Sequence, residues 1–353
     1  MTDKSILWWG RFDPDYSRNR IVRQALRDLG WTLIDFHPRF SGLGDLEARL
    51  RRLTVPSLVW VPCFRQRDVP AAARWARRQN IPLLFDPLIS AYDKQVFERG
   101  KLSAESTAAQ RLLTRERRCF AQADILLADT QLHAEYFRDT LQAPASRIQV
   151  VPVGAEERLF HPQQNDAPER ELIKVLFYGS FIPLQGPQVI IDAARLTQDR
   201  ADIRWHLVGD GPLRKDCETL AAGLDNVVFE DWLPYPELPA RIHQADILLG
   251  VFGTTPKAGR VIPNKVYQAL ACAKPVITQP SAAYPQQLVQ LDNPGIYWSN
   301  PGDAKALVNA VCRLADQAAL RAESGKAAYA SYQQFFSTDM IRAALAECLR
   351  ELP

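Results

Sequence analysis

The chain has 353 residues, of which 47% are hydrophobic and 24% charged, and its formal net charge is +3. This length exceeds one ordinary core and predicts two domains, while the composition excludes a disordered or fibrous protein. The small net charge gives no support for a nucleic-acid partner. Six scattered cysteines lack metal-ligand spacing, so we expect free thiols in a reducing, cytoplasmic compartment. No apolar run reaches the roughly 18 residues that a membrane span needs.

The first half of the chain alternates short apolar strands with amphipathic helices, which predicts a parallel sheet covered by helices. Ligands of such sheets bind beyond the carboxyl ends of the strands, so we expect the loop 10–18 to face a ligand. The predicted strands are 5–9, 31–36, 57–61, 81–85, 123–130 and 148–153, and the predicted helices are 19–29, 46–53, 71–79, 106–123 and 131–141.

Polar side chains after the first strand are candidates for contacts to an anionic acceptor; they are Arg11, Tyr16, Arg18 and Asn19. A solvated helix start, with Asn19 as its cap, is the alternative for the last two. Asp13-Pro14-Asp15 has the form of a DxD metal motif, but Asp-Pro is common in turns, and we expect a turn and no metal.

Asp86 follows the fourth strand, where acid–base residues collect in open α/β sheets. It is a candidate base for an acceptor hydroxyl, and a cap of the next segment is the alternative. Tyr92 lies in the loop beyond it and is a candidate for the acceptor rim. Periodicity leaves open whether Glu116, in the long charged helix, faces inward or outward.

The positive charge is concentrated in the first half: residues 1–160 carry 25 Lys and Arg against 19 Asp and Glu. This surface would suit an anionic acceptor or the inner face of a membrane, and a solvated basic surface is the alternative. Trp75, among the arginines of the helix 71–79, is a candidate interfacial anchor unless it packs on its own sheet.

The second half repeats the alternation of strands and helices after a polar linker at 161–169. His206 and His243 stand alone in it and are interpreted as structural. The predicted strands are 172–178, 203–208, 227–230, 247–252 and 276–278, and the predicted helices are 187–196, 236–244, 265–273, 304–314, 321–333 and 340–352.

The stretch 250–280 predicts a strand, a cationic loop, a helix and a further strand. Pro263 fits the first helical turn, where its missing N–H costs nothing. Lys257, Arg260 and Lys265 bracket the amino terminus of the helix, which itself attracts anions. A phosphate or diphosphate is the expected ligand.

Several spaced motifs resemble group 1 glycosyltransferases of family 4, in this order: Tyr178-Gly179-Ser180, Gln185-Gly186, Val208 to Pro212, Ala245-Asp246-Ile247, and Ala269 to Val276. The resemblance implies the α/β GT-B architecture of two facing Rossmann-like domains, with a terminal helix that crosses back to the first domain. It divides the chain into an acceptor-binding domain at 1–165, a nucleotide-sugar-binding domain at 166–335 and the terminal helix at 336–353. Ile341, Leu345 and Leu349 would form that helix's apolar side.

The resemblance also implies a site, from which this chain departs. Two glutamates usual in the family fall on Arg260 and Gln268, and its usual Arg and Lys fall on Ser180 and Gln185. Cations from the loop and helix start would then replace the missing charge. The candidate catalytic residues are Asp86, Lys257 and Arg260, and the candidate donor-binding residues are Gly179, Ser180, Gln185, Gly209, Trp232, Leu233, Lys257, Arg260, Asn264, Lys265 and Gln268.

The implied reaction moves a sugar from a nucleoside diphosphate sugar of unidentified base to a hydroxyl acceptor. The acceptor would be a glycan, a lipid-linked sugar or a small molecule, in glycan or glycolipid synthesis. Retention at the anomeric carbon, no cofactor, no metal and a cytoplasmic location are expected, and peripheral contact with the inner membrane face is the alternative to a location entirely in the cytoplasm. The alternatives are a sugar-nucleotide epimerase and a catalytically weak binding or scaffold protein.

Overall fold

Short apolar runs recur along the chain and form two sheets in which every strand pair is parallel. The structure, a computed structural model, describes residues 4–163 and 172–350. By its contacts the chain falls into two compact units. One runs to Gly154 and resumes at Thr338, and the other runs from Ala155 to Ser337. The expected boundary at 165/166 falls outside the described residues, and the contacts group 155–163 with the second unit.

The first unit holds a sheet with the strand order β2-β1-β3-β4-β5-β6. The strands are β1 (Ser5–Trp9), β2 (Thr32–Phe36), β3 (Leu58–Val61), β4 (Leu83–Phe85), β5 (Ile125–Ala128) and β6 (Ile148–Val150). Its helices are α1 (Ser17–Asp28), α2 (Gly44–Leu50), α3 (Val69–Gln79), α4 (Ala91–Asp93), α5 (Thr107–Phe120) and α6 (Gln131–Asp139). A 3₁₀ turn, Ser41–Leu43, leads into α2, and a π-helical turn, Lys94–Glu98, follows α4.

Apolar cores lie on both faces of this sheet, because successive residues of β1 point to opposite sides. Leu7 and Trp9 belong to the core that includes α3 and α5. Trp8 belongs to the other core, where its ring stacks on Trp60 at 4.9 Å between centroids. Trp75 of α3 is only 2% exposed and lies 5.7 Å from Trp9. The alternative given for Trp75, packing on its own sheet, is therefore confirmed, and the candidate interfacial role is wrong, because its indole faces the core.

The last helix, α14 (Thr338–Arg350), joins the first unit and packs on α1. Its buried side contains Ile341, Leu345 and Leu349, which extend the core around Trp8. The predicted return of the terminal helix to the first domain is confirmed.

The second unit holds a sheet with the strand order β12-β11-β10-β7-β8-β9. The strands are β7 (Ile173–Tyr178), β8 (Ile203–Val208), β9 (Val227–Glu230), β10 (Ile247–Leu249), β11 (Val276–Thr278) and β12 (Ile296–Trp298). Its helices are α7 (Pro187–Leu196), α8 (Arg214–Leu220), α9 (Leu238–His243), α10 (Asn264–Ala271), α11 (Gln286–Val289), α12 (Ala304–Asp316) and α13 (Ala318–Phe335). The short strand β12 and the polar helix α8 were not predicted.

Candidate active site

In the second unit, β7 and β8 end side by side at one edge of the sheet, and glycines let their loops touch. Gly209 has φ +127°, and a Cβ there would lie 2.1 Å from the carbonyl oxygen of Gly179. A side chain at position 209 is therefore excluded by the neighbouring backbone. The amide of Gly179 in turn donates to the Val208 carbonyl at 2.9 Å.

The loop after β7 is held from its other side by the residues after β10. The amide of Phe252 donates to the carbonyl of Gln185 at 3.1 Å. A Cβ on Gly253 would lie 2.2 Å from the carbonyl oxygen of Pro183, so only glycine fits there. These contacts fix the loop 179–186 as one wall of the candidate site.

Lys265, in the first turn of α10, reaches this wall. Its Nζ donates to Oε1 of Gln185 at 2.6 Å and lies 3.9 Å from the centroid of the Phe177 ring. A Cβ on Gly179 would lie 3.2 Å from the same nitrogen, so the glycine leaves room for the amine. The structure thus brings three predicted donor-site residues together, Gly179, Gln185 and Lys265.

The Lys265 amine is buried, and the described residues supply it with no counter-charge. The side chain is 5% exposed, and among the residues that the structure describes it forms no ion pair with a carboxylate. Burial alone lowers its pKa well below the ordinary lysine value. A bound anion would oppose that shift, so the site is electrostatically prepared for negative charge.

The remaining donor candidates of these two segments are Asn264 and Gln268 of α10 and Ser180 of the loop. Gln268 is buried, and its Oε1 accepts a hydrogen bond from the Tyr178 hydroxyl at 2.8 Å. Asn264 and Ser180 are half-buried. Pro263 is the extended N-cap of α10 rather than part of its first turn, which corrects the predicted helix start.

The cationic loop before α10 contains the two other predicted cations. Lys257 is buried, and Arg260 is half-buried at the end of the 3₁₀ turn Ala258–Arg260. Both side chains interact with other groups of the chain. Their predicted catalytic role stays a prediction.

Trp232 and Leu233 follow β9, whose end lies beside the Gly209 turn through the bond from the Gly209 amide to the Glu230 carbonyl at 3.0 Å. The Trp232 side chain is 62% exposed, and Leu233 is half-buried. An exposed indole at this edge offers a flat apolar surface close to the loops described above.

His206 does not stand alone, contrary to the sequence interpretation. Its Nδ1 lies 2.9 Å from Oε1 of Glu230 and 2.9 Å from a guanidinium nitrogen of Arg241. Burial lowers the pKa of His206, and the carboxylate opposes that shift. The group ties β8, β9 and α9 together, and its partners were missed because they lie 24 and 35 residues away.

In the first unit, Asp86 lies directly after β4 as predicted, but it is paired. Arg18 donates through Nε to Oδ2 of Asp86 at 3.0 Å, and both residues are at least 98% buried. The guanidinium also donates to the carbonyls of Val151 and Pro152, at 3.0 and 2.6 Å. Burial raises the pKa of Asp86, and Arg18 opposes that rise.

The solvated helix start proposed as the alternative for Arg18 and Asn19 is wrong, because both side chains are buried. Asn19 is not the cap of α1. Its Nδ2 donates to the Asp13 carbonyl at 2.6 Å, and its Oδ1 accepts from the thiol of Cys63 at 3.3 Å. Both side chains bind protein groups in this structure, and the acceptor contacts predicted for them stay predictions.

The DxD segment forms a turn. Oδ1 of Asp13 accepts from the Asp15 amide at 2.9 Å, and Asp15 pairs with Arg20 at 2.9 Å. Within 4–163 and 172–350, no group of three His, Cys, Asp or Glu side chains is arranged to hold a metal ion.

Three other acceptor candidates lie after β1 and β4, at the same edge of the sheet. Arg11 is exposed, and Tyr16 meets the ring of Phe64 edge-on at 4.9 Å. Tyr92 is 5% exposed, and its amide donates to Glu116 at 2.9 Å. Glu116 therefore faces inward, where it caps the start of α4.

Sequence reasoning missed a buried Asp–His pair at the end of β5. Nδ1 of His133 contacts Oδ1 of Asp129, one helical turn away across the N-cap Thr130. Burial acts to raise the pKa of Asp129, but His133 and then Arg18 outweigh it and lower that pKa. The Asp-to-His spacing of four across a helix start was the available signal.

Two family profiles match the chain. The one described as "Glycosyl transferase 4-like domain" matches residues 10–154, and "Glycosyl transferases group 1" matches residues 173–317. The chain belongs to the group 1 glycosyltransferases. The resemblance read from the loop motifs and the helix start is thereby confirmed for both halves.

Curated relatives include the D-inositol 3-phosphate glycosyltransferases of Segniliparus rotundus and Geodermatophilus obscurus. The first is 27% identical over 180 residues, 47% of this chain, and the second is 30% identical over 182 residues, 46% of this chain. These matches span 39% of the length of each relative.

Solved structures match almost the whole chain. HepE from Anabaena, in complex with UDP, has a TM-score of 0.72 at 17% identity and covers 99% of this chain and 100% of its own. Sucrose-phosphate synthase from Thermosynechococcus elongatus has a TM-score of 0.73 at 19% identity, with 98% of each chain covered. These matches confirm the GT-B fold with its two Rossmann-like domains.

Within the described residues, no helix combines the length and the apolar character needed to cross a bilayer.

Proposed function

We propose that this protein transfers a sugar from a nucleoside diphosphate sugar to a hydroxyl acceptor, with the donor's diphosphate bound between the loop 179–186 and the start of α10. Membership of the group 1 glycosyltransferases supports the reaction class. The UDP found in the complex of the similar Anabaena protein supports a nucleotide donor at this fold.

The observation that carries the proposal is the buried amine of Lys265 beside Gln185. A diphosphate brings negative charge, and burying that charge is costly unless a cation or fixed donors accept it. Gln185 itself contributes only a neutral amide, but the amine of Lys265, from α10, lies beside that amide. Charge-assisted hydrogen bonds are about twice as strong as neutral ones, so Lys265 would be the principal diphosphate partner.

The same contacts would assist catalysis. Negative charge develops on the leaving diphosphate as the bond to the sugar breaks, and fixed donors that stabilise such charge often give the largest catalytic contribution. Lys257 and Arg260 are the further candidates for this role. Asn264 and Gln268 would hold ribose or sugar hydroxyls, and Trp232 with Leu233 would adjoin the base.

On the acceptor side, Asp86 is the candidate base, with Arg11, Tyr16 and Tyr92 around the same strand ends. Arg18 would act on Asp86 rather than on substrate, because its guanidinium is fixed by Asp86 and two carbonyls. The acceptor class remains a glycan, a lipid-linked sugar or a small molecule. We further propose retention at the anomeric carbon without cofactor or metal, in the cytoplasm and in glycan or glycolipid synthesis.

The test is a titration of the full chain with UDP-, GDP- and ADP-sugars, followed by turnover of the donor that binds. One donor should stabilise the protein, by about 2.7 kcal/mol at a hundredfold excess over its Kd, and should be consumed in EDTA. If a donor binds but its sugar is transferred neither to an acceptor nor to water, the chain is a binding protein. No binding of any donor would overturn the proposal.

A further inference from the structure

Large apolar side chains are exposed together on one short segment of the first unit. Phe40, Leu43, Leu46 and Leu50 are 68, 56, 46 and 85% exposed. They lie on and before α2, at spacings of three, three and four residues, and we name them the α2 apolar face. Monomeric proteins expose isolated apolar residues freely, but a contiguous apolar face usually marks an interaction surface.

The geometry of the helix explains why this face is not part of the core. Ala48 is completely buried, and a Cβ on Gly44 would lie 2.9 Å from the Trp9 ring, so these two residues face inward. At about 100° per residue, Leu46 and Leu50 lie about 160° round the helix from Ala48. The leucines therefore point away from the protein, and repacking of α2 on its own sheet cannot bury them.

Positive charge surrounds the α2 apolar face, and its acids are neutralised. Asp45 is 2% exposed and accepts ion pairs from Arg74 and Arg78 at 2.7 and 2.9 Å. Glu47 pairs with Arg51 at 2.6 Å. The remaining charged side chains of 39–52 are Arg39, Arg49 and Arg52, all three exposed.

We propose that the α2 apolar face docks on an anionic membrane surface, with its leucines among the acyl chains and its arginines at the headgroups. An apolar face flanked by arginines has the charge and amphipathic pattern of an interfacial helix. A protein partner would not by itself account for a rim whose acids are paired with arginines and whose other charged side chains, within 39–52, are all arginines. This surface takes the role that the sequence suggested for Trp75.

The test is cosedimentation of the full chain with vesicles of phosphatidylcholine, with and without phosphatidylglycerol. Wild type should bind the anionic vesicles and release them at high salt. Leu46→Glu with Leu50→Glu should weaken binding at least about tenfold, since partial burial of even one leucine accounts for that factor. Arg49→Gln with Arg52→Gln should weaken it about 25-fold, because each basic residue near an anionic surface contributes about fivefold.

Leu196→Glu with Leu220→Glu is the matched control, because these leucines are 55 and 41% exposed at helix ends of the second unit. This control should bind vesicles like wild type, and all variants should keep the wild-type Tm. Equal binding by wild type and the α2 variant would overturn the proposal. A second result would also overturn it: wild type forms a dimer, Leu50→Glu dissociates that dimer, and neither protein binds vesicles. The α2 apolar face would then be the contact with a second copy of the chain. No sugar donor is needed, so this result is independent of the proposed transfer reaction.

Discussion

Nζ of Lys265 and Oε1 of Gln185 lie 2.6 Å apart, 80 residues apart in sequence. The contact joins the first turn of α10 to the loop after β7. The resemblance had implied that position 185 lacks the family's usual cation, and the structure shows a lysine from the neighbouring helix at that position instead.

Burial of this lysine should reduce stability in the absence of ligand. Lys265→Met keeps the aliphatic length and removes the desolvated amine, so we expect the variant to have a higher free energy of unfolding and a higher Tm. For a unit of this size, each kcal/mol regained corresponds to about 2–4 °C in Tm. Lys305→Met, an exposed control on α12, should leave Tm unchanged.

The pH dependence of that difference has a defined sign. The folded-state pKa of Lys265 lies below that of the unfolded chain, so the unfolded chain binds more protons and folding becomes more favourable as pH rises. The Tm advantage of Lys265→Met should therefore shrink as pH rises from neutrality toward the ordinary lysine pKa. An advantage that grew over this range would contradict the assignment.

Binding of a nucleoside diphosphate should be accompanied by proton uptake. The bound anion raises the lowered pKa of Lys265, so the amine gains a proton at any pH between its free and bound pKa values. Calorimetric titration in buffers of different ionisation enthalpy measures the number of protons taken up. Lys265→Met should abolish this uptake, and persistent uptake in the variant would assign the proton to another group.

Gly209 should be required for the geometry of the loop 179–186, the wall of the candidate site that would bind the diphosphate. In Gly209→Ala the new methyl group meets the Gly179 carbonyl and the backbone is strained, and we expect about 1–3 kcal/mol of destabilisation from strain alone. Gly223→Ala is the control, because its φ of +81° carries strain but no atom lies within 4 Å. Only the first variant should also weaken diphosphate binding, as a fluorescence or calorimetric titration can measure.

Asp86 and Arg18 should be strongly coupled. Asp86→Asn leaves the guanidinium buried without its counter-charge, and removing one partner of a buried pair costs about 3–5 kcal/mol. Arg18→Met with Asp86→Leu should cost less than the sum of the single changes in denaturant titrations. Asp139→Asn, which breaks the exposed pair with Arg138, should leave the free energy of unfolding nearly unchanged.

Asp86→Asn also tests whether Asp86 is the base that accepts a proton from the acceptor hydroxyl. If Asp86 accepts the acceptor's proton, the transfer rate of the folded variant should fall about 10²–10⁴-fold while donor binding stays unchanged. A wild-type rate in the folded variant would leave Asp86 with only its structural role beside Arg18.

The fold was largely predictable because its strands are apolar runs and its helices have regular periodicity. The strands β8, β9 and β11 match their predicted bounds, since each is bounded by turn or charged residues. β12, Ile296–Trp298, was missed; it is an edge strand in which only Ile296 is buried, so it lacks the fully buried run that identified β11. α8 was missed because its sequence is largely polar and only Cys217 in it is buried.

The site was less predictable, since its polar side chains are defined by distant partners. Lys265 could be located at a helix start from sequence, but its burial depends on Phe177 and Gln185. The burial of Arg18 depends in the same way on Asp86, 68 residues further along the chain. Residue type and local spacing contain no information about such pairs.

The most direct test compares the affinity of Lys265→Met and wild type for a nucleoside diphosphate and for its nucleoside, using the base selected from UDP, GDP and ADP. Loss of a charge-assisted bond corresponds to about 1.5–3 kcal/mol, so the variant should bind the diphosphate roughly 10- to 150-fold more weakly. It should bind the nucleoside like wild type, because the nucleoside carries no phosphate. Unchanged diphosphate affinity in the folded variant would contradict the assignment of Lys265 as the diphosphate's cation.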